Sequence, residues 1–329
     1  METTHPVASA SLDPSAISPP RILVVGTGAI GGFYGGRLAQ AGLEVAAVCR
    51  SDFAAVRSQG IRIESVQGTF HFTPQPTLRQ PADYAGLPDY ILVTLKVLSE
   101  IDVAAIIRPV VGPDTVIVLI QNGMEIEASV AAAFPDHEIL SGLAFICVSR
   151  TAPGVLRHTC HGRLTIGRYP QGESPSAQRL ATWFNKAATP CMASASIVTE
   201  RWRKLVWNAP FNPLSVLGGG LTTQEIMASP ILSRLARQVM EEVWSVAAAA
   251  GHSLPPEVVE KNLTETRAMQ PYKTSMLLDH EAGRPMEVEA ILGNTVRIAN
   301  ALGIAAPRLE TLYGLLLGIE TKKGKEWIP

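Results

Sequence analysis

Three places in the chain carry groups that could hold an anion or move a proton at a spacing with chemical meaning. The first is Gly26-Thr27-Gly28-Ala29-Ile30-Gly31, a G-x-G-x-x-G loop directly after the apolar run Ile22 to Val25. In such a loop the first glycine makes a tight turn, the second lets the backbone approach a pyrophosphate, and the third packs helix on strand, with the anion at the helix N-terminus. A glycine-rich turn with no ligand is the bland alternative. The second place is Val48-Cys49-Arg50-Ser51, at the end of the next apolar run. An NAD site carries Asp or Glu there for the ribose 2′-hydroxyl, whereas an arginine fork suits a 2′-phosphate, so NADP is favoured over NAD. The competing reading of Arg50 is a solvated surface charge. The third place is Lys204, Asn208 and Asn212, spaced i, i+4 and i+8 as one polar stripe among Leu205, Val206, Trp207 and Phe211. A lysine among such neighbours is desolvated, its pKa falls and it can donate a proton, while the amides can hold a carboxylate or carbonyl. A solvated face with capping asparagines is the alternative. Pro210 and Pro213 interrupt the stripe, and the helix is expected to bend or end near Asn212.

Other positions are weaker signals. Lys96 and Asn122-Gly123 each follow an apolar run, where open α/β sheets bind ligands, although a solvated lysine and a positive-φ turn explain them equally. Glu287 and Glu289 open a helix after the Gly283 to Pro285 turn, and the helix dipole accounts for both acids.

The elements that must position these groups fall into two textures. Ile22 to Val25, Val45 to Val48, Tyr90 to Leu95 and Val116 to Ile120 are continuous apolar runs suited to strands buried on both faces of a parallel sheet. Helical stretches such as Gly36 to Ala41 and Val103 to Ile107 lie between them, and Gly154 to Tyr169 reads as a few closing strands. After about residue 190 the pattern is helical, with Leu232 to Ala250, Glu257 to Met269 and Glu287 to Leu302 as its clearest segments. The expectation is a Rossmann-type α/β dinucleotide-binding domain over residues 21–192 and an all-α domain over 193–329, after a flexible Ser/Ala/Pro-rich leader of residues 1–20.

Composition narrows the function classes. The chain has 329 residues, 47% of them apolar, with 28 Lys plus Arg against 29 Asp plus Glu, so it offers no basic footprint for nucleic acid. No stretch reads as a signal peptide or a membrane span, and a cytoplasmic location is expected. Four cysteines without a C-x-x-C pair suggest neither a zinc site nor a disulfide framework, and His71, His137, His158 and His161 show no ligand pattern with carboxylates.

Taken together, these motifs resemble the ketopantoate reductase (2-dehydropantoate 2-reductase) family, from Arg21 to about Leu317. The carriers are the glycine loop, the strand end Val93-Thr94-Leu95-Lys96, Asn122-Gly123, the Lys204…Asn208…Asn212-Pro213 core, and Ser275-Met276-Leu277…Gly283-Arg284…Glu287, all in family order. The resemblance implies NADPH-dependent reduction of a 2-oxo acid, 2-dehydropantoate first, in pantothenate biosynthesis. It implies Lys204 as catalytic acid with Glu287 as its acidic partner, Asn122, Asn208, Asn212 and Ser275 as substrate-binding residues, and Arg50, Lys96 and Asn122 beside the glycine loop on the cofactor side. The alternatives are an NADP(H)-dependent D-2-hydroxyacid dehydrogenase for another acid and a non-catalytic NADP-binding sensor. The expected partner is a small 2-oxo acid, and the sequence leaves a homodimer open.

Overall fold

The computed structural model describes residues 19–322. All but the last two residues of the expected leader lie outside that range. Ten strands form one sheet: β1 (Ile22–Val25), β2 (Val45–Val48), β3 (Ile61–Ser65), β4 (Phe70–Phe72), β5 (Thr77–Leu78), β6 (Tyr90–Val93), β7 (Val116–Ile120), β8 (Ile139–Ala152), β9 (Val155–Arg168) and β10 (Cys191–Ala193). Their order is β4-β3-β9-β8-β7-β6-β1-β2-β5, with β10 beside β9. From β5 through β8 every pairing is parallel, and the order reverses between β1 and β6. That is the strand order of a doubly wound dinucleotide fold, whose ligand crevice lies at the carboxyl ends of the strands at the reversal.

The four apolar runs become β1, β2, β6 and β7, buried at every position. Their side chains alternate between two cores: Ile22 and Val24 pack on one face of the sheet, Leu23 and Val25 on the other. The segment expected to hold a few closing strands is instead one 14-residue strand, β9, paired antiparallel with an equally long β8. Sequence periodicity missed the full hairpin because its pairing is irregular in the outer half, with register shifts between Phe145 and Ile146 and between Cys147 and Val148. The register also sets Cys147 opposite Cys160, and the two form a disulfide. The cysteine spacing suggested no disulfide framework; strand pairing, not local spacing, brings residues 13 apart together.

Beyond β10 the structure is helical, around a core of its own. Its central helix, Ile197–Leu217, packs most extensively against Pro230–Ala249. It does not end near Asn212 but runs through both Pro210 and Pro213. Each proline removes a backbone donor at a cost of roughly 3 kcal/mol. Against that, Leu205, Val206, Phe211, Leu214 and Val216 are all buried around them, each contributing about 1.5–3 kcal/mol. Packing outweighs propensity. The segment read as one helix over Glu287 to Leu302 is a π-helical turn, Glu289–Gly293, continued by Asn294–Ala301. Among the described residues, no helix is long and apolar enough to cross a membrane.

Candidate active site between the sheet edge and the helical half

The carboxyl edge of the parallel sheet faces the helical half across a cleft of about 2380 Å³. Crossing that edge in strand order from β5, the cleft is lined by Arg79, Arg50, the glycine loop, Thr94 to Lys96 and Asn122. From the opposite wall come Lys204, Trp207, Asn208, Tyr272, Ser275 and Glu287.

The glycine loop is shaped by contacts that exclude side chains. Gly26 has φ +99°, and a Cβ there would meet the Leu95 amide at 2.8 Å. A Cβ at Gly31 would press into Thr94 Oγ1, itself donating to the Gly26 carbonyl at 2.5 Å. Gly28, by contrast, has open space where its Cβ would be. It caps the Ala29–Gln40 helix without a side-chain acceptor, and Gly28, Ala29 and Ile30 all line the cleft, so the first-turn amides open toward an anion.

At the β2 end, Arg50 is exposed on the cleft wall. Two arginines that sequence reasoning did not single out join it: Arg79, stacked 4.0 Å over the Phe53 ring, and Arg150, from the end of β8. Arg150 Nη1 pairs with Asp52 Oδ1 at 2.5 Å, and Asp52 also accepts from Ser51 Oγ and the Gly154 amide. The only carboxylate beside Arg50 in sequence is therefore already occupied.

At the other end a chain of hydrogen bonds joins the two halves. Lys204 Nζ donates to Asn122 Oδ1 at 2.7 Å, Asn122 Nδ2 donates to Glu287 Oε2 at 3.3 Å, and the Val97 amide donates to Glu287 Oε1 at 3.0 Å. Desolvation in the cleft, reinforced by the nearby Arg201 charge and opposed by Glu287, holds the Lys204 ammonium down to about 7. Burial pushes the Glu287 carboxyl above the usual range, against the pull of the Val97 amide and Lys96. Lys96 pairs with Asp279 and donates to the Pro285 carbonyl at 3.3 Å, so it ties β6 to the helical half. Asn122-Gly123 is both a positive-φ turn and a close approach: Gly123 has φ +103°, its Cβ position is filled by Ala290, and the Met124 amide donates to the Ala290 carbonyl at 2.8 Å.

Of the residues predicted from sequence, Lys204, Glu287, Asn122, Asn208, Ser275, Arg50, Lys96 and Gly26 to Ile30 of the glycine loop share the cleft, while Gly31 is buried against Thr94. Asn212 does not. It is 2% exposed inside the helical half and is not part of the cleft lining. Glu289 points elsewhere as well, accepting from Tyr313 Oη at 2.7 Å and Arg297 Nη2 at 3.0 Å. Cys147, Cys160 and His161 offer ligand atoms within 4.8 Å of one another, but the two sulfurs are bonded to each other.

A doubly wound sheet whose strand ends face a desolvated lysine on a separate helical half is a dinucleotide-binding fold with a candidate general acid in its cleft. Comparison with known proteins takes this further. Residues 22–171 match the family described as "Ketopantoate reductase PanE/ApbA", and residues 196–320 match its C-terminal part. The chain belongs to the ketopantoate reductase family. A 2-dehydropantoate 2-reductase of Nostoc sp. is 34% identical over 297 residues, spanning 88% of this chain and 92% of that protein. The crystal structure of 2-dehydropantoate 2-reductase from Methylococcus capsulatus is 49% identical with a TM-score of 0.87, covering 93% of this chain and 98% of that one. A D-mandelate dehydrogenase solved with NADH and anilino(oxo)acetate shares the fold alone, at 19% identity and a TM-score of 0.83.

Proposed function

We propose that this chain reduces a 2-oxo acid to its 2-hydroxy acid with NADPH, and that the acid is 2-dehydropantoate. The observation that carries the reading is the Lys204–Asn122–Glu287 hydrogen-bond chain across the cleft. On this reading residues 21–192 hold the cofactor and residues 193–329 the substrate, in a cytoplasmic enzyme of pantothenate biosynthesis.

The residues present fit a phosphorylated dinucleotide. The open amides at Gly28 to Ile30 suit a pyrophosphate. Arg50, Arg79 and Arg150 at the β2 end, with Asp52 already neutralised, suit a 2′-phosphate rather than a free ribose hydroxyl. Lys96 stays on the cofactor side while sharing its charge with Asp279. When bound, the reduced dinucleotide supplies the hydride to the keto carbon.

The chain's own residues supply the proton and the field. Lys204, as an ammonium, donates to the keto oxygen and gives up its proton as that oxygen gains negative charge. A pKa near 7 leaves a substantial part of it protonated at neutral pH and makes it a better acid than an ordinary lysine. Asn122 accepts from the ammonium and so aims it, and Glu287 accepts from the other end of the same amide and fixes its orientation. Asn208 and Ser275 line the cleft beside Lys204, where amide and hydroxyl donors can hold the substrate carboxylate.

The test follows NADPH absorbance with 2-dehydropantoate and a panel of other 2-oxo acids, using the wild type and Lys204→Ala. Turnover that prefers 2-dehydropantoate and is lost in the variant supports the reading. No turnover with any acid, or unchanged turnover in the variant, overturns it. A second reading, a dehydrogenase for a bulkier or aromatic 2-oxo acid, is favoured by Trp207, Met269 and Tyr272 on the substrate wall. A higher kcat/KM for an aromatic member of the panel would select it.

A further inference from the structure

One buried charge behind the cleft has so far entered only through its effect on the Lys204 ammonium. Arg201 is 3% exposed and lies three residues before Lys204 on the central helix, so both side chains leave the same face. Its Nη1 donates to two backbone carbonyls, Gln121 at 2.9 Å and Gly123 at 2.8 Å. These two residues flank Asn122. Its Nη2 donates to Ser141 Oγ at 2.5 Å and pairs at 2.7 Å with Glu127, which is 1% exposed.

Stability does not explain such a pair. Taking a guanidinium and a carboxylate out of water costs several kcal/mol per ion, and apolar residues of similar volume are often as stable or more so. What apolar residues cannot do is hold two carbonyls at the end of β7 with one guanidinium nitrogen while the other nitrogen is anchored on Ser141 and Glu127. One turn of helix therefore carries both the ammonium and the clamp on the loop that presents its acceptor.

We propose that Arg201 is a positioning residue for the reaction: by gripping the carbonyls on either side of Asn122, with Glu127 as its counter-ion, it fixes the Asn122 amide at the Lys204 ammonium. The inference rests on Lys204 being the proton donor. A second consequence is electrostatic, since the Arg201 charge opposes protonation of Lys204. Glu287 acts on Lys204 in the opposite sense, Lys96 and Asp279 act on Glu287, and Glu200 and Arg203 on the same helix pair with each other.

The two consequences separate experimentally. Arg201→Lys keeps the charge and loses the second nitrogen, so one ammonium cannot hold both carbonyls and the Ser141–Glu127 anchor together. It is expected to lower the plateau kcat by about 10- to 100-fold, the scale on which small misplacements act, with KM for NADPH and the pH midpoint unchanged. Arg201→Met/Glu127→Gln removes the charge without orphaning its partner, and is expected to lower the plateau equally and move the midpoint to higher pH. The pH dependence of Lys204 acylation by an anhydride, read by mass spectrometry, follows the amine whatever the substrate and should shift the same way. Circular dichroism checks that each variant is folded. Folded variants with wild-type kcat and an unmoved Lys204 midpoint, or a loss confined to KM, overturn the proposal. Should Lys204→Ala keep full turnover, it is the proton-donor reading that fails, and the acylation midpoint still decides whether Arg201 acts on Lys204.

Discussion

The two ends of the cleft are built on opposite plans. At the β2 end, Arg50, Arg79 and Arg150 stand exposed on separate loops and strand ends, and Arg50 lines the cleft at the wall itself. At the β7 end, Lys204, Asn122 and Glu287 are linked atom to atom, Glu287 is buried, and both ionisable groups are pushed toward their neutral forms by desolvation. The difference teaches a division of labour. Charge that only has to attract a phosphate works in water, screened and replaceable, whereas charge that must change hands during a reaction is kept dry, where a few ångströms of geometry set its acidity.

Breaking the dry end should cost most. Lys204→Ala removes the proton donor and is expected to lower kcat by about 10³-fold, within the usual range for a general acid, with folding unchanged. Gly123→Ala puts a methyl group where Ala290 already sits and forces a side chain to φ +103°, so turnover should fall by at least about 10²-fold alongside a lower unfolding temperature. The pH profile sharpens the comparison. Reduction needs Lys204 protonated, so kcat should fall as pH rises through about 7. Glu287→Gln removes the charge that favours the ammonium, and the midpoint should move to lower pH.

The same lysine should be a burden on the fold. Its folded-state pKa lies below its unfolded value, so the cost of burying the ammonium is fully present below pH 7 and fades as pH rises toward 10.5. Lys204→Met should therefore raise the unfolding midpoint at pH 6 and raise it less at pH 9, measured by thermal melts. At the wet end the effects should be smaller. Arg50→Ala is expected to raise KM for NADPH about 10-fold relative to NADH, on the scale of one charge-assisted hydrogen bond, and the change should shrink in high salt. An unchanged NADPH to NADH preference would remove Arg50 from the phosphate site.

How far the site could be read in the sequence follows from the range of the interactions that make it. The glycine loop, Arg50, Lys96 and Asn122 each sit immediately after an apolar run, and burial on both faces made those runs plain. Lys204 and Asn208 lie one helical turn apart, so local periodicity found them. Arg79 and Arg150 reach the cleft only through the β2–β5 pairing and the long β8–β9 hairpin, neither of which leaves a local periodic signal. Arg201 was within reach, since it shares the helix face of Lys204, but nothing nearby reveals that its partners lie at the end of β7. Asn212 continues the Lys204–Asn208 spacing but is buried outside the cleft lining, and propensity rules could not foresee that packing would carry the helix through two prolines.

The bond from the Met124 amide to the Ala290 carbonyl joins backbone to backbone across the two halves, with no side chain to truncate. That proton cannot exchange with solvent unless the halves part or the molecule unfolds. Its exchange rate in deuterated water therefore works as a clock for the opening of the cleft, and a bound ligand that holds the halves together should slow it.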